Sequence, residues 1–398
     1  MIEEVKRSAP PPKKKTSFFF RALAFLITLA LALGAVALVV NRDKLNFDAL
    51  KRWFTYRSLT QGDTGGGQPF PYQAGESLTL TACGGDLLSV SRTGVRFYSP
   101  GGTAYLEDTV TMDNPVCQVV GKTAVVYDAG GTFLKVYGTQ GTELFELSNN
   151  SSVILSARLN ESGYLAVVTR SSGYKGVVTV YNSGFQPLLE LSLSSAFVLD
   201  ALVAPDNRSV AVVTAGQQDQ LFSCALSQYS LTEVDLETPV PFATWVLNNH
   251  LPLDLTWDGN GVRVLAEHAA LCAGNDLKLT GEYSWSGRYL KRFSLLADDS
   301  FVVLTGKYRS GSQATLEVID TQGNLTATLE ETRPVLALSA NRKYIGVLTA
   351  RELNIYTRDL ELYATVENTN NASQLVLLSD GSAYLATQDE AWLQLPNG

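Results

Sequence analysis

Histidine and cysteine are scarce in this chain of 398 residues, and their scarcity excludes a good deal. The two histidines, His250 and His268, leave no histidine metal triad. The four cysteines, Cys83, Cys117, Cys224 and Cys272, form no Cys-x-x-Cys pair and have no histidine cluster beside them, which excludes zinc-finger and thioredoxin-type chemistry. No Gly-x-Ser-x-Gly elbow, phosphate-cradling glycine loop or dinucleotide fingerprint occurs between a strand and a helix, so no cofactor is expected. Charged residues make up only 18% of the chain and apolar ones 45%, the composition of an ordered globular protein rather than a disordered one.

The net charge of −8 conceals an asymmetry. Residues 1–57 hold 11 Lys and Arg against four Asp and Glu, a balance of +7; subtracting these from the totals of 31 and 39 leaves 20 against 35, or −15, for the rest. An acidic globular part repels polyanions at long range, so nucleic acid is not an expected partner.

What the chain does contain is a strand motif that returns about every 40 residues. It reads Val95-Arg96-Phe97-Tyr98, Leu134-Lys135-Val136-Tyr137, Val178-Thr179-Val180-Tyr181, then Leu316-Glu317-Val318-Ile319 and Leu353-Asn354-Ile355-Tyr356. Short strands at this period predict an all-β propeller whose blades each carry four antiparallel strands. Second strands are expected at residues 87–91, 124–128, 165–169, 210–214, 262–267, 302–306, 346–350 and 384–388. Third strands follow near Tyr98, Tyr137, Tyr181, Ala225, Cys272, Ile319, Tyr356 and Gln394. That register gives eight blades, with seven as the alternative. Turn residues support it: Pro100-Gly101-Gly102, Gln140-Gly141 and Gln322-Gly323 fall just after third strands. Because the last repeat stops after its third strand, its outer strand is expected from the residues between Phe70 and Leu80, which closes the ring and removes two sheet edges.

Ahead of the blades, the uncharged run from Ala22 to Val40 reads as one transmembrane α-helix in contact with the lipid bilayer, near the lower length limit for a span. A cleaved signal peptide ending at Ala35-Val36-Ala37 is the competing reading. Basic residues before the run place a tail, residues 1–21, in the cytoplasm and the propeller outside it, at the cell membrane. Residues 41–70 are expected to form a short amphipathic juxtamembrane helix around Leu50, Trp53 and Phe54 and then a Gly-rich linker, Thr64-Gly65-Gly66-Gly67-Gln68-Pro69. The propeller itself is assigned to residues 71–398.

The fifth repeat stands apart. It gathers Trp245, Trp257 and Trp285, three of the five tryptophans, together with His250, His268 and Asp258. Rigid aromatics on a longer loop make these six a candidate recognition surface; packing into wedge-shaped gaps between blades is the other use of tryptophan there. Asp254 and Asp258 near the histidines match no specific catalytic spacing, so the site is not expected to be an enzyme's. The register places Cys224 and Cys272 at equivalent points on adjacent blades, making them a candidate disulfide, with buried free thiols as the alternative.

The basic tail, the apolar run, the segment Phe47-Asp48-Ala49-Leu50-Lys51-Arg52-Trp53-Phe54-Thr55-Tyr56-Arg57-Ser58-Leu59 and the later Leu348-Thr349-Ala350-Arg351-Glu352-Leu353-Asn354-Ile355-Tyr356 resemble an uncharacterised family of membrane-anchored propellers of Gram-positive bacteria, a domain of unknown function. At fold level the chain is similar to quinoprotein-like and WD-type propellers. The resemblance implies a bacterial envelope address and a propeller that binds another envelope protein, without any active residue. Two other functions stay open: a hydrolase or lyase acting on an extracellular sugar or lactone with acidic residues near the axis, and a receptor for a small ligand or cation.

Overall fold

The structure is a computed structural model, and it describes residues 23, 25–29, 47–57, 59–60 and 66–396, apart from 74, 149–150, 219–220, 234, 249 and 296–299. Eight four-stranded antiparallel sheets follow one another along the chain from Thr79. Their first strands are Thr79–Cys83, Pro115–Val120, Val153–Leu159, Phe197–Val203, Pro252–Asp258, Tyr289–Leu295, Val335–Ala340 and Gln374–Leu377, and we number blades 1 to 8 in that order. All eight expected second strands and all eight third strands are found in place. Blade 8 is completed by Phe70–Pro71, which pairs with Glu390–Gln394 through Phe70 opposite Ala391 and Pro71 opposite Glu390. The hydroxyl of Tyr72 then donates to the Thr387 carbonyl at 2.7 Å, holding the closure.

Second and third strands are buried on both faces, which is why they read as apolar runs rather than as an alternating pattern. The core is divided accordingly. Among the described residues eight buried apolar clusters occur, one at each junction between neighbouring blades. The recurring tyrosine has a physical role at three of these junctions: Tyr98 packs on Phe70, Tyr137 on Phe97 and Tyr181 on Phe145, with centroids 5.7, 5.9 and 5.5 Å apart, each reaching to the preceding blade.

The expected transmembrane helix is not found. No helix among the described residues is long and apolar enough to cross a membrane. Within the run 22–40, helix is described only at residues 23 and 25–29. Crossing a hydrocarbon core of about 30 Å takes about 20 helical residues at about 1.5 Å each. The rest of that run, the tail 1–21 and much of the Gly-rich linker lie outside the described residues. The short helix that was expected after the span is present as Phe47–Tyr56, with Phe47, Leu50, Trp53 and Phe54 exposed.

Candidate recognition surfaces

Each blade has two ends. First strands begin, and second-to-third-strand hairpins turn, at what we call the upper face; first strands end at the lower face. On blades 4, 5 and 6 the upper face carries exposed large apolar side chains in numbers found nowhere else in the ring: Phe197, Leu199, Phe222, Val246, Leu251, Leu253, Tyr289 and Tyr308. Two local features of the sequence put them there. Blade 4 extends its hairpin with strands Ser209–Gln218 and Leu221–Ser230, ten residues each against four to seven for the corresponding strands elsewhere, and lifts Phe222 above the face. First strands of blades 3 to 7 each contain a register shift near their start, between Val198 and Asp200 in blade 4, Pro252 and Asp254 in blade 5 and Leu290 and Arg292 in blade 6. A bulge of this kind re-aims the unpaired residue. In blades 4 and 5 that residue is Leu199 or Leu253, both exposed, and in blade 6 it is Lys291.

Between blades 5, 6 and 7 this face opens into a groove of about 580 Å³ whose walls include Leu253, His268, Tyr289, Arg292, Phe293 and Val335. Its edge is the blade 6 hairpin at residues 307–313, where Gly311 takes a φ of +105° that other residues resist. Lys291 fixes that hairpin by donating to the Gly311 carbonyl at 2.6 Å. The Arg292 Nε donates to the Val335 carbonyl at 3.2 Å, the guanidinium of Arg309 lies 6.0 Å from the Tyr289 ring centroid, and Lys307 lies 5.5 Å from that of Tyr308.

Of the six residues singled out in the fifth repeat, only His268 reaches this groove, exposed at its rim with its Nε2 3.7 Å from Glu267. The tryptophans fill gaps between blades. Trp245 and Trp257 are buried in the cluster joining blades 4 and 5, where the Trp257 indole donates to Asn275 at 2.8 Å. Trp285 is only 1% exposed, lies between blades 5 and 6, and donates to the Glu267 carbonyl at 2.9 Å. Asp258 accepts from the buried Arg263 at 2.6 Å and from the Asn260 amide of its own tight turn. His250 stands apart, 3.6 Å from Glu282.

All four cysteines are free. Equivalent positions on successive blades are related by one step of rotation, so each faces its own junction: Cys224 the one between blades 4 and 5, Cys272 the one between blades 5 and 6. The pair that shares a junction is Cys83 with Cys117, between blades 1 and 2. Burial pushes the thiols of Cys83 and Cys272 up to about 11 and raises that of Cys117 as well.

Carboxylates do converge near the axis, but they are tied down. Arg158, on the first strand of blade 3, donates to Asp200 of blade 4 at 2.9 Å, to Asp254 of blade 5 at 3.0 Å and to the Leu255 carbonyl at 3.3 Å, while Ser156 also bonds Asp200. Burial works against the guanidinium's charge, and the two carboxylates outweigh it and hold its proton more firmly than usual. An acid and base pair needs two carboxyl groups with separate environments, whereas these two share one cation. Among the described residues no group of three or more His, Cys, Asp or Glu is arranged to hold a metal ion. Below this network a second cavity of about 530 Å³ is lined by first strands of several blades. Glu161 of blade 3 and Arg342 of blade 7, opposite each other in the ring, approach to 3.6 Å across it.

Comparison with known proteins agrees with this architecture. Residues 71–240 match a family described as "Family of unknown function (DUF5711)". Solved structures similar to the chain include the C-terminal WD40 domain of Sif2 (12% identity, 80% of this chain and 99% of that one, TM-score 0.55) and BamB from Moraxella catarrhalis (14% identity, 84% and 98%, TM-score 0.51). A eukaryotic initiation factor is similar at 13% identity, 84% and 87% coverage and a TM-score of 0.51. No curated protein sequence matches the chain. At these identities the likeness is one of fold, and the chain has a β-propeller fold of the WD40 and BamB type.

Proposed function

We propose that this chain is a non-catalytic protein-binding propeller that engages a partner through the upper face of blades 4 to 6. The observation that carries the reading is the concentration there of eight exposed apolar side chains, from Phe197 to Tyr308, against a smaller lower-face group of Leu236, Val240 and Phe242 on blade 4 and scattered residues on the other blades. Contiguous apolar surface on a soluble domain marks an interaction site more often than a lapse of folding. Rigid aromatics such as Phe222 and Tyr308 are the anchors an interface uses.

An envelope address outside the cytoplasm belongs to the same proposal. It rests on the basic first 57 residues, at +7, ahead of a remainder at −15. Contact with a lipid surface rests on the exposed Phe47, Leu50, Trp53 and Phe54 of the short helix. Protease added to intact cells degrades the blades if this address is right and leaves them whole if it is wrong.

A photocrosslinking residue placed in living cells at Phe222 or Tyr308 tests the binding reading against the same residue placed at Lys122 on the lower face of blade 2. One protein joined to both upper-face positions and not to the lower one is the expected result. Equal labelling from all three positions, or none from any, defeats the proposal. A second reading, a receptor for a small ligand, is favoured by the axial cavity beneath Arg158; a ligand found in a thermal-shift screen would have to lose its effect in an Arg342→Ala, Glu161→Ala double variant.

A further inference from the structure

The groove on blades 5 to 7 differs from the apolar surface beside it in its charge. Lys291, Arg292, Lys307 and Arg309 all stand within or beside it, and among the described residues none of the four forms an ion pair. Their hydrogen bonds go to main-chain carbonyls, and their other contacts are with the rings of Tyr289 and Tyr308. Residues 58–398 carry 20 cations against 35 anions, so four cations left without carboxylate partners in one place run against the composition of the whole. Among the described residues lining the groove, Glu267, on the rim, is the one anion that opposes them.

Resting on the reading of this face as a protein-binding surface, we propose that the groove takes an extended acidic segment of the partner, with carboxylates alternating with aliphatic side chains. Unpaired lysine and arginine at a groove edge steer and hold carboxylates, and arginine lying over a ring is weakly hydrated and gives up water readily. The floor is what separates a peptide from a fully hydrated polyanion. Leu253, Leu290, Phe293 and Val335 offer apolar contact that glutamate- and leucine-type chains repay by burial and that a phosphate chain does not. An extended peptide turns successive side chains to opposite sides, which suits one charged wall and one apolar floor. The acidic domain as a whole repels such a segment at long range, whereas the four cations let it gain from its charge in the groove.

Binding of a short fluorescent peptide alternating glutamate and leucine to the full-length protein tests this, with the glutamine and leucine analogue and inorganic polyphosphate as comparators. The glutamate peptide is expected to bind at least about tenfold more tightly than the glutamine one, and to weaken several-fold as salt rises. Lys307→Glu with Arg309→Glu, at an exposed hairpin tip whose change leaves the melting temperature in place, is expected to weaken it by about tenfold or more. Lys122→Glu on the lower face leaves binding unchanged. Equal affinity for the glutamine peptide overturns the proposal, and so does polyphosphate that binds in preference to the peptide. If the crosslinked partner enters this face through a neutral or basic segment and the glutamate peptide does not bind, the acidic-segment proposal falls while protein binding stands. If no crosslink forms either, both fall.

Discussion

Blades 4 to 6 and blades 7, 8, 1 and 2 are built from the same repeat and buried by the same kind of junction, yet they present different surfaces. On blades 1, 2 and 7 the exposed large apolar residues among those described are Tyr105, Leu144 and Leu362, one near the start of each outer strand, and blade 8 has none. On blades 4 to 6 eight of them gather on the upper face, and a smaller group, Leu236, Val240 and Phe242, lies on the lower side of blade 4. The second and third strands are alike in the two halves because both are fully buried and packing leaves them little freedom. The halves differ in their hairpins and in what the bulged starts of first strands present, Leu199 and Leu253 exposed on blades 4 and 5 against a half-buried Leu336 on blade 7. Stability and recognition are thus carried by different parts of each blade, and substitutions can separate them.

The largest effect is expected where that separation is most complete. Replacing the fully buried Trp285 by alanine opens a cavity between blades 5 and 6 and strands the Glu267 carbonyl, at a cost of about 3–5 kcal/mol in unfolding by urea. Loss of partner crosslinking would follow only as a consequence of lost folding. A variant that kept its midpoint and lost the partner would make Trp285 a recognition residue after all and break the comparison.

Next in size is Arg158→Met. It removes the cation that Asp200 and Asp254 share and leaves two poorly solvated carboxylates facing each other, which costs about 3 kcal/mol. The exposed Glu161 and Arg342 pair is the contrast, because an exposed pair is worth about 0–1 kcal/mol and its removal scarcely moves the melt. Equal effects from the two would mean that the axial network is not a structural tie between blades.

Acid should find the junction between blades 1 and 2 before it finds the recognition face. Burial raises the carboxyl pKa of Asp108, but the hydrogen bonds from Tyr137 and Lys135 outweigh it and hold the group below its ordinary value. A carboxyl depressed in the folded state stabilises above its unfolded pKa of about 4 and loses that contribution as pH falls through the folded value. Asp108→Asn should therefore be less stable than the parent at neutral pH, with the gap narrowing as pH falls below about 4. A gap that stays constant from pH 7 to 3 would remove the ion pair from the account.

How much of this was legible in the sequence follows the same division. The eight second strands and the third strands, four of them marked by tyrosine, were readable because burial on both faces forces continuous apolar runs at a fixed period. Closure by Phe70–Pro71 was readable from the missing outer strand of the last repeat. The fifth-repeat tryptophans were conspicuous, but abundance of an aromatic does not tell a gap filler from an anchor, and only the packing of Trp245, Trp257 and Trp285 decides for the former. The charged groove was missed, although its signal was present: Tyr289-Leu290-Lys291-Arg292-Phe293 on a strand and Lys307-Tyr308-Arg309 in a hairpin interleave cations with aromatics, and the blade register makes them neighbours, Tyr289 pairing with Gly306. The bulges that turn Leu199 and Leu253 outward left no mark in the composition, because a one-residue slip changes direction without changing residue type.

The smallest effect on stability is the one that sharpens the comparison most. Phe222→Ser and Tyr308→Ser each act on a side chain with more than half its surface in water, so each should shift unfolding by no more than about 0.5 kcal/mol in either direction. Solubility should improve if anything, because an exposed apolar patch is a site of self-association when its partner is absent. Crosslinking to the partner should nevertheless drop in both, and drop further in the double variant than stability can explain. The matching change on the other half of the ring, Leu144→Ser at the start of the blade 2 outer strand, is the control, equally mild in its effect on the melt and without effect on the partner. A loss of crosslinking from Leu144→Ser as large as that from Phe222→Ser would show that the partner recognises the rim of the ring as a whole, and the distinction drawn between the two sets of blades would no longer hold.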